Sequence, residues 1–258
     1  MMAVHAESHG SGPALVLWHG WGMNLRVFDP LVAKLAPRWH ITGFDLPGHG
    51  RSPWPAGAGA GDMLPSLLSR LPAGCVLLGW SLGGMLALRA AQLAPRRIRA
   101  LVLLHTTPKF VSDAGWTHGV PAPVLQRFAT SLLAAPERTV ADFLELQVRG
   151  SRDAAAVLVL LRHALQGHGA ARPAALAAGL ELLRSCDLRA VVPTLQLPAL
   201  VIAGEHDRVT PPAAAHALGR LLPRSRVEEL PRAGHASFLS HTDAVAALCE
   251  DWLCGLPT

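Results

Sequence analysis

Tyrosine is missing from this chain, and lysine nearly so: of its 23 basic side chains, 21 are arginine. Alanine is abundant, so the pattern reads as a compositional bias towards Arg and Ala as much as an adaptation to a partner. Half of the residues are apolar, yet no stretch approaches the roughly 18 to 20 consecutive apolar residues that a membrane span needs. The opening residues, MMAVHAESHGSGP, hold no basic segment followed by an apolar one. No secretory leader is readable, and a soluble, cytoplasmic protein is expected. The four cysteines, Cys75, Cys186, Cys249 and Cys254, form no C-x-x-C pair, so reduced and mostly buried thiols are expected. Thirteen histidines offer no H-E-x-x-H or other clustered ligand set, so neither a metal nor a cofactor is expected. Runs of Lys/Arg interleaved with aromatics are also lacking, which argues against a nucleic-acid partner. The formal net charge of +5 is unevenly spread. Residues 1–108 carry nine basic and four acidic side chains, 109–186 eight and six, and 187–258 six and eight. The positive excess of the first two segments would draw an acidic partner over a modest, salt-screened range.

What is present centres on Val76-Leu77-Leu78-Gly79-Trp80-Ser81-Leu82-Gly83-Gly84. An apolar β-type run ends in G-x-S-x-G, and a small-residue helical pattern follows from Met85 to Ala94. This is the spacing of a nucleophile elbow, in which a serine occupies a strained strand-to-helix turn that only glycine-sized neighbours tolerate. The hydroxyl would stand at the C-terminal end of a central strand above a helix N-terminus, where developing negative charge is stabilised. The bland alternative is a glycine-rich βα turn with an incidental serine, as a dinucleotide site offers.

Strand-like runs alternate with helical patterns, which predicts βαβ units, a mostly parallel central sheet flanked by helices, and α/β class. The runs are Leu15–Trp18, Ile41–Phe44, Val76–Trp80, Ile98–Leu104, Ala199–Ala203 and Val227–Leu230. Each carries a polar or glycine-rich cluster at its C-terminal end, the edge where open parallel sheets bind ligands. Pro53 to Gly61 reads as a loop before a helix near Met63–Leu71. Residues 109–186 break the alternation, with helical periodicity in Val124–Leu133, Val140–Val148 and Ala154–Leu165 and no convincing strand. The expectation is a core formed by 1–108 and 187–258 with an inserted helical cap at 109–186, since one crossover needs far fewer residues.

A serine hydroxyl is a weak nucleophile at neutral pH and requires a base. On this scaffold the acid and then the histidine follow the serine in sequence, and Asp207 and His235 meet that order. His235 would take the proton of Ser81 and return it to the leaving group, while Asp207 holds the imidazole tautomer. Glu205 and His206 flank Asp207, and His241 lies near His235, as rival groups. His105, at the end of the strand after the elbow helix, could line a pocket, but a structural strand-end histidine is the simpler reading. The backbone N–H groups of Leu82 and of Trp21, in His19-Gly20-Trp21-Gly22, are the expected oxyanion donors, with His19 bracing that loop.

With these residues assembled, the chain resembles the α/β-hydrolase superfamily. Serine rather than aspartate at position 81 separates it from haloalkane dehalogenases. Within the superfamily it is most similar to the carboxylesterases of biotin synthesis that act on pimeloyl-acyl-carrier protein methyl ester. The stretches carrying the similarity are Leu17–Gly22, DLPGHGRS at 45–52, GWSLGG at 79–84, RTVADFLELQVRG at 138–150, GLELLRSCDLR at 179–189 and AGHASFLSH at 233–241. The resemblance implies release of methanol from a carrier-bound pimeloyl chain. It implies substrate contacts at Trp21, Ser81, Leu82, His235 and Phe143-Leu144-Glu145-Leu146-Gln147. Trp80, Phe143 and Leu146 would wall an apolar tunnel, with Gln147 as a polar contact, although helix-core packing accounts equally well for Phe143 and Leu146. Carrier-protein contacts are expected at Arg138, Arg149, Arg152 and Arg162, interrupted by Asp142 and Glu145. The chain is expected to act as a monomer. Other readings are a general short-chain esterase, a C–C bond hydrolase with the same triad, or a hydrolase-derived protein that binds a small ligand with little turnover.

Overall fold

The structure is a computed structural model that describes residues 3–256. In chain order the strands are β1 (Ala6–His9), β2 (Ala14–Trp18), β3 (His40–Phe44), β4 (Cys75–Trp80), β5 (Ile98–Leu104), β6 (Ala199–Gly204) and β7 (Ser225–Leu230). They form one seven-stranded sheet in the order β1-β3-β2-β4-β5-β6-β7, parallel except for β1, which pairs antiparallel with β3. The six apolar runs foreseen from sequence are strands. β1 carried no such signal, because AESH is a half-exposed edge strand and needs little apolar surface.

The near-continuous apolar character of the central strands follows from burial on both faces. Leu15, Leu17, Val76, Leu78, Val102, Leu200 and Ile202 point to one side. Val16, Trp18, Leu77, Leu101, Leu103 and Val201 point to the other. The helices covering the sheet are α1 (Asp29–Leu35), α2 (Met63–Leu68), α3 (Leu82–Leu93), then α4 (Ala122–Ala134), α5 (Pro136–Val148), α6 (Ala154–His168) and α7 (Pro173–Ser185), and finally α8 (Pro212–Leu221), α9 (Ser237–Ser240) and α10 (Thr242–Cys254). Phe28, Leu31, Phe238 and Val245 fill the first face, and Met85, Leu86 and Leu218 the second.

Helices α4 to α7 all lie between β5 and β6, and prolines stand at the first turns of α4, α5 and α7, where a missing N–H costs nothing. Polar contacts tie this helical segment to the sheet edge. Asn24 Nδ2 donates to the carbonyls of Ala164 and Gly169, both at 2.9 Å, and His168 Nε2 bonds Asp45 Oδ2 at 2.8 Å. Helix α7 crosses directly over Trp21. A Cβ on Gly179 would stand 2.7 Å from the Trp21 ring, so glycine is the residue that permits the approach. None of the described helices is long and apolar enough to cross a membrane.

Candidate active site

The elbow is built by close packing around Ser81. Its backbone lies at φ 56° and ψ −118°, a strained conformation for a residue with a Cβ. The turn leaves no room for side chains on either flank. A Cβ on Gly79 would meet the Gly83 carbonyl oxygen at 2.5 Å, and one on Gly83 would meet that of Trp18 at 2.3 Å. The Ser81 carbonyl accepts from Gly84 N–H at 2.9 Å and from Thr106 Oγ1 at 2.7 Å, which holds the strained residue from two sides. Leu82 opens α3, so its N–H belongs to the first helical turn, whose donors have no partner within the helix.

Beside the elbow, the loop after β2 is braced by His19. Its Nδ1 donates to the Gly20 carbonyl at 2.8 Å, and its Nε2 accepts from Leu46 N–H at 2.9 Å. Burial, with His49 nearby, pushes its pKa down to about 3, so the ring is a neutral strut. Trp21 is fixed by its indole N–H, which donates to the Leu176 carbonyl at 2.9 Å, and by edge contacts to Phe128 and Phe143, each 5.3 Å between ring centres.

Asp207 follows β6 and His235 follows β7, both buried, and His235 Nδ1 lies 2.8 Å from Asp207 Oδ2. An ionised carboxylate only accepts, so Nδ1 carries the proton and Nε2 keeps its lone pair. That Nε2 is buried and has no hydrogen-bond partner among the described residues. Burial pushes the Asp207 pKa up, but the His235 and His105 rings against it outweigh that, and the carboxyl is held well below the usual carboxylate range. Its Oδ1 accepts from Val209 and Thr210 N–H at 2.8 and 2.9 Å.

The sequence did not reveal what His105 and Thr210 do. His105 Nδ1 lies 2.9 Å from the same Asp207 Oδ2, and Thr210 Oγ1 is 2.9 Å from both that oxygen and the His105 carbonyl. The available signal was positional, since His105 ends the strand lying between those that carry Ser81 and Asp207. His105, Asp207 and His235 also form a donor set of the kind that holds metals, their ligand atoms lying within 4.8 Å of one another. Here both imidazole Nδ1 atoms are engaged by the carboxylate. A second such group, His5, Glu7 and His168, has its Glu7 already bonded to Arg26 at 2.6 Å.

The other sequence-nominated residues divide. Trp80 is buried beneath His235, with its ring 5.6 Å from the imidazole and Nε1 donating to the His235 carbonyl at 2.8 Å. Phe143 joins the Trp21 and Phe128 cluster, and Leu146 packs against the same side of the core. Gln147 is buried, its carbonyl accepts from His235 N–H at 2.9 Å, and neither polar atom of its side chain has a partner among the described residues. Leu144 instead packs with Val148, Val157 and Leu161, and Glu145 faces outward in an ion pair with Arg162 at 3.1 Å. Arg138 and Arg152 lie near Asp142 and Asp153, at 3.9 and 3.3 Å. Glu205 and His206, the rivals of Asp207, are turned away: Glu205 accepts from Arg232 N–H, and the His206 ring bonds the Gly150 carbonyl.

A mostly parallel sheet with a serine elbow and a His–Asp pair at its C-terminal edge is the architecture of an α/β hydrolase. The family model described as alpha/beta hydrolase fold matches residues 13–242, and the chain belongs to that family. Solved structures of the same fold include an esterase from Exiguobacterium antarcticum, with TM-score 0.86 and 22% identity, covering 98% of this chain and 96% of that one. The enol-lactonase from Burkholderia xenovorans superposes with TM-score 0.83 at 25% identity, covering 97% and 96%. Closer in sequence is the pimeloyl-[acyl-carrier protein] methyl ester esterase of Nitrosomonas europaea, 41% identical over 253 residues, 98% of this chain and 100% of the relative. The protein of the same name from Stenotrophomonas maltophilia is 40% identical over 256 residues, covering 98% and 97%. The chain is thus a member of the pimeloyl-[acyl-carrier protein] methyl ester esterase family.

Proposed function

We propose that this protein is a serine carboxylesterase that hydrolyses the methyl ester of pimeloyl-acyl-carrier protein to methanol and pimeloyl-carrier protein. The observation that carries the chemistry is the His235 ring, with Nδ1 bonded to a buried ionised carboxylate and Nε2 left as an unpartnered base. Ser81 Oγ attacks the ester carbonyl while its proton passes to His235 Nε2. The oxyanion is stabilised by the N–H groups of Leu82 and Trp21, each such donor typically contributing about 10²–10³ in rate. As the intermediate collapses, His235 protonates the departing methoxide. Water, deprotonated by the same nitrogen, then attacks the acyl-enzyme and releases the acid, with Ser81 recovering its proton.

The substrate rests on the family relationship and on the lining of the site. Trp21, Phe143 and Leu146 form an apolar wall for a methylene chain, and the buried amide of Gln147 offers a donor and an acceptor next to the histidine loop. A groove lined by Gly22, Val140, Leu144, Leu165, Leu176 and Arg162 passes beside the Trp21 loop and would admit the carrier's acylated arm. Residues 109–186 serve as the cap, and Arg138, Arg149, Arg152 and Arg162 on it meet the acidic carrier. The triad and both oxyanion donors lie on a single chain, so the reaction needs no residue from a partner subunit. The four free thiols support a reducing cytoplasm.

Methanol release from the carrier-bound methyl ester, compared with the same ester off the carrier, is the deciding assay. Turnover should be efficient on the carrier and abolished by Ser81→Ala with the fold intact. Retained turnover in that variant would overturn the mechanism. Failure to restore growth of a biotin-requiring esterase mutant would overturn the substrate.

A further inference from the structure

Asp207 serves two histidines. Oδ2 accepts from His235 Nδ1 at 2.8 Å and from His105 Nδ1 at 2.9 Å, with Thr210 Oγ1 also 2.9 Å away. His105 Nε2 in turn lies 2.6 Å from Ser237 Oγ. Ser237, His105 and Asp207 thus repeat the order of donors of a Ser–His–Asp triad, on the far side of the shared carboxylate. Burial decides what this second arm can do. Ser237 and His105 are 0% and 1% exposed, so no ester reaches that hydroxyl.

The protons can be assigned. The carboxylate accepts, so His105 Nδ1 donates to it; a neutral imidazole then accepts at Nε2, and Ser237 Oγ is the donor there. Burial lowers the His105 pKa, which keeps the ring neutral. His105 also holds φ at 48°, a left-handed conformation uncommon for a residue with a Cβ. That backbone is braced by Thr210 Oγ1 on the His105 carbonyl at 2.9 Å. The titratable groups facing the ring are Asp207, His235 and, with a weaker influence, His241. Strain kept at a buried polar residue marks a position whose contacts matter.

We propose that His105, oriented by Ser237, is a positioning residue for the ester hydrolysis: it shares the Asp207 Oδ2 charge with His235 and so sets how strongly that carboxylate holds the His235 Nδ1 proton. A carboxylate oxygen that loses one of its donors pulls harder on the His235 Nδ1 proton and stabilises the imidazolium more. The second imidazole therefore weakens that pull while it stops the carboxyl group from rotating. The proposal rests on His235 being the base. Its test includes a signal that does not depend on turnover.

Three variants separate positioning from packing. His105→Leu removes both ring nitrogens, His105→Asn keeps a donor near the Nδ1 position, and Ser237→Ala leaves the ring but frees its Nε2. Turnover of a p-nitrophenyl short-chain ester is followed against pH, and the low-field proton resonance of His235 Nδ1–H is recorded in the free enzyme. In His105→Leu, kcat should fall about tenfold with KM within about twofold, the loss expected for one hydrogen bond to a charged group. The acid limb of kcat/KM should move to higher pH, and the low-field resonance should shift. His105→Asn should restore the limb and most of kcat, and Ser237→Ala should fall between. An unmoved limb and unmoved resonance in His105→Leu, or equal impairment of His105→Asn and His105→Leu with the limb unmoved, would overturn the proposal. If His105→Leu fails to fold, Ser237→Ala decides: a limb and resonance unchanged from the parent protein overturn it. Turnover retained by Ser81→Ala would instead strike at the esterase reading, whereas the resonance still reports on the Asp207 network.

Discussion

Trp80 and His235 are joined by a hydrogen bond from the indole N–H to the histidine's own carbonyl, 2.8 Å long. The residue before the elbow serine thereby fixes the backbone of the loop that carries His235, which is held on its other side by the Gln147 carbonyl at 2.9 Å. Trp80→Phe would keep most of the packing against Phe238 and leave a buried carbonyl unpartnered. The expected outcome is a stability loss of about 1–3 kcal/mol with kcat reduced and KM little changed. Chemical denaturation and steady-state kinetics on a short ester would check it. An unchanged kcat would mean that the loop does not need the indole.

Stability should fall on acidification before any carboxylate titrates. His19 and His49 are fully buried, and burial, with His49 beside His19, lowers their pKa values to about 3 and about 4. In the unfolded chain both take up protons near pH 6.5, so below that pH the unfolded state binds more protons than the native state. Their contribution is complete above about 6.5 and is lost as pH falls through that range towards the folded values. The lowered pKa of Asp207 adds a further loss below about pH 4. Unfolding free energies measured between pH 7 and 5 should decline. His49→Phe, which replaces a ring whose Nε2 is buried without a partner among the described residues, should show a shallower decline. Equal slopes in the two proteins would count against this origin.

Of Arg138, Arg149, Arg152 and Arg162, Arg149 alone makes no ion pair among the described residues, whereas the other three lie beside acids. Exposed pairs of that kind contribute little to stability, so these arginines remain available to an acidic partner. Arg149→Glu should raise KM for the carrier-bound ester severalfold to about tenfold, leave the carrier-free ester within about twofold, and lose its effect at high salt. Parallel changes on both esters would remove Arg149 from the docking surface.

Much of the fold was legible because its signals are local. Apolar runs two-sidedly buried, such as Val76–Leu78 and Leu101–Leu104, are visible without knowing their neighbours, and the glycine spacing around Ser81 announces a turn that admits no side chain. β1 was not legible, since an edge strand reading AESH is specified by its partner β3 rather than by its own composition. Helix α7 was also missed as a separate element; its Gly179 answers to the close approach of Trp21, a contact the local sequence does not show.

The order Ser81, Asp207, His235 and the elbow's chemistry are properties of the chain itself, as is membership of a family whose motifs run from Leu17 to His241. Tertiary structure alone decided how the polar groups are shared. It brought His105 onto the oxygen that also holds His235, turned Glu145 outward to Arg162, and set the Trp80 indole beneath the histidine loop. Backbone preference and burial act over a few residues and leave a readable period. A hydrogen bond between residues 102 positions apart, like that of His105 and Asp207, depends on where adjacent strands end, and only the assembled sheet sets that.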